Sequence, residues 1–94
     1  MINRSVKGRK NEHRSIAVLE GAGYRCTRSA ASLGEWDIVG VGPTDVVLCQ
    51  VKTRDWPGKE EMEILKLFPA PENAKKIIHR WRHRARVPDV KVIE

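Results

Sequence analysis

Residues 36–53 read Trp-Asp-Ile-Val-Gly-Val-Gly-Pro-Thr-Asp-Val-Val-Leu-Cys-Gln-Val-Lys-Thr. Two apolar runs flank Gly42-Pro43-Thr44-Asp45, a turn of hairpin type. The segment therefore predicts a strand over 36–41, a tight turn, and a strand over 45–53. The unbroken run Val46 to Cys49 predicts burial on both faces. Period-two geometry puts Val46, Leu48, Gln50 and Lys52 on one face. Gln50 and Lys52 thus point the same way at the end of a buried strand, and such a polar pair needs partners. Asp37 opens the preceding strand, thirteen positions before Gln50. A carboxylate, an amide oxygen and a lysine at the ends of adjacent strands can hold a divalent cation beside a phosphate.

Upstream, residues 1–7 read as a loose basic arm. Residues 8–22 predict an amphipathic helix ended by Gly21 and Gly23. Ile16 and Leu19 share one face, and Glu12 falls four residues before Ile16 on that face. Glu12 is therefore expected to point toward the sheet, where an unpaired carboxylate is costly. Tyr24 to Arg28 predicts a short first strand, and the small polar stretch 29–34 a loop. Downstream, Trp56-Pro57-Gly58 breaks the chain and residues 59–67 predict a helix. Pro69 and Pro71 interrupt it. A basic helix is expected over 72–84, with Ala74, Ile77, Ile78 and Trp81 as its apolar stripe and Lys75, Lys76, Arg80, Arg82 and Arg84 around it. Val90 to Ile93 suits a last short strand after Pro88.

Composition narrows the partners. The 94 residues carry a formal net charge of +6, with an isoelectric point near 9.8. The chain 1–94 reads as one domain with a modest core. A basic balance points to nucleic acid, against the plainer reading of a soluble protein with excess lysine. Cys26 and Cys49 are the only cysteines. Two thiols within strand patterns make neither a disulfide framework nor a zinc cluster, and suit a reducing compartment. No signal-like or membrane-spanning run is present, so the expected location is cytoplasmic, with no membrane partner.

The ordered pieces Gly8-Arg9-Lys10-Asn11-Glu12, Gly23-Tyr24, Ser29 to Gly34, Asp37-Ile38-Val39 and Gln50-Val51-Lys52-Thr53 together resemble the archaeal-type Holliday junction resolvases. These belong to the restriction-endonuclease-like PD-(D/E)XK nuclease superfamily, marked by an acid followed by an acid-x-lysine pair. The resemblance covers roughly residues 7–54 and implies an α/β fold, a mixed β-sheet flanked by helices, with the site where the second and third strands diverge. It implies that Asp37 is the main ligand of Mg2+ or Mn2+, joined by the Gln50 side-chain oxygen and the Val51 carbonyl, with Glu12 acting through water. Lys52 would orient the attacking water or stabilise charge on the scissile phosphate. Ser29 or Ser32 would match the loop serine near the DNA. Arg9, Lys10, Arg14 and Arg54 extend the expected DNA-binding surface. Gln50 stands where the family usually carries a carboxylate, which removes one negative charge from the site.

The implied activity is metal-dependent, structure-selective endonucleolytic cleavage of branched DNA by a twofold homodimer. The size of the chain suits a bacterial or phage source. The alternatives are a nuclease for other branched, nicked or single-stranded DNA, a non-catalytic DNA binder with an eroded site, and a structural or protein-interaction module with incidental charge. Structural readings stand beside the functional ones. Asp37 suits a strand-edge turn and Lys52 a solvated strand end. Glu12 suits an ion pair with Arg9 or His13. His79 and His83, one helical turn apart, suit a solvated or DNA-facing helix better than a metal. Trp81 suits core or interface. The absence of acids from Lys75 to Arg86 favours phosphate contact by that segment, read through backbone and shape rather than sequence.

Overall fold

The computed structural model describes residues 4–29 and 34–94, with side chains from Gly8 onward. The elements run α1 (Arg4–Gly21), β1 (Arg25–Arg28), β2 (Ile38–Val41), β3 (Val46–Thr53), α2 (Lys59–Leu67), β4 (Ala74–Trp81) and β5 (Asp89–Ile93). Among the described residues the strands form one mixed sheet in chain order. Only β3 and β4 are parallel, because α2 carries the chain back between them; the other neighbours are antiparallel. The α/β architecture expected from the sequence is present.

Strand alternation divides the core in two. Val47 and Cys49 of β3 face α1, where they join Leu19, Ile38 and Ile77. Leu48 faces α2, where it joins Trp36, Leu65, Ile78 and Ile93. Leu65 is fully buried, which contributes about 1.5–3 kcal/mol of hydrophobic stabilisation. A Cβ on Gly40 would lie 2.7 Å from Val47 Cγ1 and 3.1 Å from Cys26 Sγ. Glycine there leaves room for its cross-strand neighbours Val47 on β3 and Cys26 on β1. Both cysteines are free thiols, Cys26 half-buried and Cys49 buried. No helix among the described residues is long and apolar enough to cross a membrane.

Three expectations are corrected. Residues 4–7, expected in a loose arm, are the first turn of α1. The end of α1 does follow its signal. Gly23 sits at φ 101°, and Tyr24 N–H and Gly23 N–H bond back to the Leu19 and Glu20 carbonyls at 3.1 and 3.0 Å, a Schellman stop.

The second correction is larger. The segment expected as a basic helix over 72–84 is strand β4, paired with β3 and β5. Ile77 and Ile78 are both buried because this inner strand is covered by α1 on one face and α2 on the other. Burial on both faces erases the period-two signal, and the same residues mimic a helical stripe. The lysines are spent locally. Lys76 donates to the Lys66 and Phe68 carbonyls at 2.9 and 2.7 Å, which caps the negative end of the α2 dipole. Arg80 bonds Asp89 at 2.6 Å across the β4–β5 pair.

The third correction concerns the histidines. His79 is buried on β4, and His83 lies in the exposed turn beyond it, so the two do not form a helical pair. His79 Nδ1 lies 2.9 Å from Ser15 Oγ, and Trp81 Nε1 donates to the same oxygen at 2.7 Å. Burial pushes the His79 imidazole down to about 4, so it is neutral at pH 7. Ser15 Oγ accepts from Trp81 and also bonds His79 Nδ1, the direction of that second bond being set by the imidazole tautomer. One hydroxyl thereby ties α1 to the end of β4. Ser15→Ala orphans both ring nitrogens at about 1–3 kcal/mol each. Urea unfolding will show a lower midpoint with an unchanged slope; an unmoved midpoint would show that the contacts carry no stability.

Candidate functional site

Strands β2 and β3 part at Asp37. The last paired residues are Ile38 and Cys49. Beyond them the Asp37 N–H donates to the Cys49 carbonyl at 2.9 Å, and the Asp37 carbonyl accepts from Ser29 N–H at 2.8 Å. The Asp37 carboxylate then turns into the gap and accepts from Val51 N–H at 2.7 Å, where a strand carbonyl would otherwise have paired. A strand residue presents its N–H and C=O to the same neighbour, so the Val51 carbonyl faces this opening as well.

Both helices add an acid here. Burial pushes the Asp37 carboxyl up to about 6; the Val51 N–H opposes the rise, Glu12 adds to it, Lys52 opposes it and Glu61 adds to it. Glu12 comes from α1 and Glu61 from α2, so the fork is flanked by acids from both faces of the sheet. Glu12 accepts from Arg28 Nε at 2.8 Å. This puts one ion-pair partner of Glu12 on β1, a residue beyond the Arg9 and His13 that the sequence suggested. Glu12 is half-buried rather than in the core; the innermost residues of α1 are Asn11, Ser15 and Leu19. Lys52 pairs with Glu61 at 3.2 Å.

Gln50 is 4% exposed, and its Oε1 is buried without a hydrogen-bond partner among the described residues. A buried acceptor left unpaired costs about 1–3 kcal/mol, so this oxygen invites a ligand. Among the described residues no three His, Cys, Asp or Glu side chains converge as a metal cluster. Oxygen donors here are one carboxylate, one amide and one carbonyl, with further acids close by.

The remaining candidates fall around this fork. Arg9 and Lys10 are exposed on α1, and Arg54 is exposed just past β3. Arg14 stacks over the Trp81 ring at 3.9 Å. Ser29 is buried at the end of β1, while Ser32 lies outside the described residues. Glu61, Arg28 and Ser15 were not singled out from the sequence. Glu61 had a faint signal, as one of two acids in the first turn of a helix that follows a chain break.

Among solved structures, the chain is similar to Hjc of Archaeoglobus fulgidus, a Holliday junction resolvase from an archaeal hyperthermophile. The likeness has a TM-score of 0.68 at 23% identity and covers 93% of this chain and 71% of that one. The fold is that of a Holliday junction resolvase. No family model matches the chain, and no curated protein does. At this identity the likeness shows the restriction-endonuclease-like fold expected from the sequence, and the site must be argued from its own residues.

The resolvase fold holds Asp37 against its electrostatic preference, and pH exposes this. Its folded value, about 6, lies above the ordinary value of 3.8. Its contribution to stability is therefore complete below 3.8 and lost as pH rises through 6. His79 runs the opposite way, complete above 6.5 and lost as pH falls through about 4. Asp37→Asn removes only the first dependence. In metal-free buffer the variant is expected to be more stable than the parent near pH 7, on the order of 1–2 kcal/mol after discounting for partial exposure. That advantage should vanish by pH 4. Urea titrations across this range check it, and a pH-independent difference would contradict the electrostatic account.

Proposed function

We propose that this chain is a divalent-metal-dependent endodeoxyribonuclease that cuts branched DNA, with a Holliday junction as its substrate. The observation that carries the reading is the fork itself: a desolvated Asp37 carboxylate and an orphaned Gln50 oxygen beside a lysine, at the point where two strands part. The resolvase fold supports it.

The donor set fits a hard cation such as Mg2+ or Mn2+. Asp37 would bind directly, with the Gln50 side-chain oxygen and the Val51 carbonyl, and Glu12 through water. Magnesium keeps several waters and needs few protein oxygens, so a neutral glutamine in place of a second acid is compatible with binding at reduced affinity. When bound, such a cation would neutralise phosphate charge and acidify a coordinated water.

The chain's own residues do the rest. The Val51 amide fixes the Asp37 carboxylate in one orientation. Lys52, held by Glu61, offers an ammonium to the growing negative charge on the scissile phosphate or orients the attacking water. Glu12, braced by Arg28, adds the negative field that draws a cation to the fork. Arg9, Lys10, Arg14 and Arg54 supply backbone contacts that position DNA without reading sequence, and Ser29 stands at the end of β1 beside Asp37. Two symmetric cuts on a four-way junction call for two sites, hence a twofold homodimer. Val90 and Val92, more than half exposed on edge strand β5, supply apolar surface for such a contact. A second reading, a DNA binder that does not cut, draws on the neutral Gln50.

The deciding experiment is cleavage of a labelled four-way junction beside linear, nicked and single-stranded controls, with Mg2+, Mn2+ or chelator. Paired symmetric cuts that require metal are expected, and Lys52→Ala should reduce turnover at least about 100-fold while binding persists. Metal-dependent cutting of another DNA alone would remove the junction assignment. Binding without cutting under either metal would favour the second reading.

Gln50 gives an independent check. Gln50→Leu removes a buried orphan acceptor, so the fold should be no less stable, yet metal-dependent cutting should be lost. Gln50→Glu should lower the metal concentration needed for half-maximal cutting. Full activity in Gln50→Leu would exclude Gln50 as a metal ligand.

A further inference from the structure

A cavity of about 500 Å3 opens on the α1 side of the sheet, beyond the ends of β3 and β4. Its walls carry Lys10 and Arg14 from α1, Arg54 from the turn after β3, and Arg82 and Arg84 from the turn after β4. No acidic residue lines it. Trp81 forms part of the wall and is itself 2% exposed, so this is a built recess backed by the core.

Two of these cations are already committed. Arg14 lies over the Trp81 ring at 3.9 Å and donates to the Ala85 carbonyl. Arg82 pairs with Asp89 at 3.1 Å. The side chains of Lys10, Arg54 and Arg84 have no hydrogen bond or ion pair among the described residues. Three uncompensated positive charges around one recess repel each other, and an anion would relieve that repulsion.

The backbone gives a second, independent observation. Among the described residues, Arg54 at φ 80° and Arg84 at φ 61° are the only non-glycine residues with positive φ. Both line this cavity. Asp55 N–H bonds the Thr53 carbonyl at 3.0 Å, which closes a three-residue turn around Arg54 of the rare, strained hand. Ala85 N–H bonds the Arg82 carbonyl at 3.0 Å, which places Arg84 at the turn position where glycine or asparagine is favoured. Each turn would fold more easily with glycine, yet each carries arginine. Strain kept at two facing turns suggests that the side chains are wanted there.

The recess adjoins the fork. Thr53 and Arg54 follow Lys52 directly, so Arg54 Cα is within about 7.6 Å of Lys52 Cα. Asn11 precedes Glu12, and Asn11 Nδ2 donates to Thr53 Oγ1 at 2.8 Å, closing the wall between the two regions.

We infer that this recess, framed by Arg54, Arg84 and Lys10, seats a backbone phosphate of a nucleic-acid strand other than the phosphate attacked at the fork. The inference rests on DNA being the ligand under the proposed function, but not on cutting. A phosphodiester suits it because guanidinium forks match phosphate oxygens in pairs.

The test is binding of the full-length protein to a labelled four-way junction in chelator, from 50 to 200 mM salt. The variant is the double substitution Arg54→Gly with Arg84→Gly, and its thermal midpoint is measured in parallel. Glycine suits both turns, so the midpoint should not fall. Each phosphate that the variant no longer neutralises should flatten the log–log salt slope by about 0.9 units. For a single such phosphate, the advantage of the parent shrinks about 3.5-fold over that salt range. An unchanged slope would overturn the inference, as would an equal change in Lys66→Ala, which alters charge on α2 far from the recess in the fold. Absence of cutting by the parent would overturn the nuclease reading alone, because these measurements read only binding.

Discussion

The 2.7 Å hydrogen bond from the Val51 amide to the Asp37 carboxylate governs the geometry of everything around it. It substitutes a side chain for a strand carbonyl at the end of the β2–β3 ladder. The amide stays satisfied while the strands diverge, so the opening costs no orphaned backbone donor. The same bond holds the carboxylate in a place where burial and two neighbouring acids oppose its charge. A carboxylate held in such a position would be favoured in its charged form by a neighbouring cation, which is the physical basis of the proposed metal site.

The second support is less visible. Ser15 Oγ joins α1 to β4 by contacts at 2.7 and 2.9 Å with Trp81 and His79. These contacts set the height of α1 over the sheet, and thus where Glu12 stands relative to Asp37 and where Lys10 and Arg14 stand relative to the β4 turn. A leucine at position 15 would bury more apolar surface but leave both ring nitrogens without partners. Polar burial of this kind trades some hydrophobic stabilisation for a fixed register between helix and sheet.

The hairpin, the break at Pro57-Gly58 and the last strand were legible because turn residues and alternation agree there. The positions of Asp37, Gln50 and Lys52 at the fork followed from that hairpin. Strand β4 was not legible, because Ile77, Ile78 and Trp81 satisfy a helical stripe and an inner strand equally well. Only the partner strands decide, and they are distant in sequence. For the same reason the basic residues of 75–84 could not be apportioned: some cap α2 or pair with Asp89, and only those in the following turn face a shared recess. Glu61 was missed because its relation to Asp37 exists only after α2 has folded back across the sheet. The arginine turns were hidden because a sequence does not announce an arginine at positive φ; local propensity argues against it, and such conflicts gather at functional sites.

Alternation along β3 sends successive residues to opposite faces of the sheet. Lys52 points to the α2 face and Thr53 to the α1 face, as the pleat demands. On α1, Glu12 and Asn11 are likewise successive residues turned about 100° apart. The Asn11–Thr53 hydrogen bond therefore lies between an acid-rich fork and a cation-rich recess, each built from the neighbours of that pair. Acids gathered alone would repel a phosphate backbone, and cations gathered alone would bind it with no provision for a metal. Under the proposed function, the recess would supply the attraction that brings a polyanion up to the acidic fork, and the Asn11–Thr53 bond would tie the two regions together.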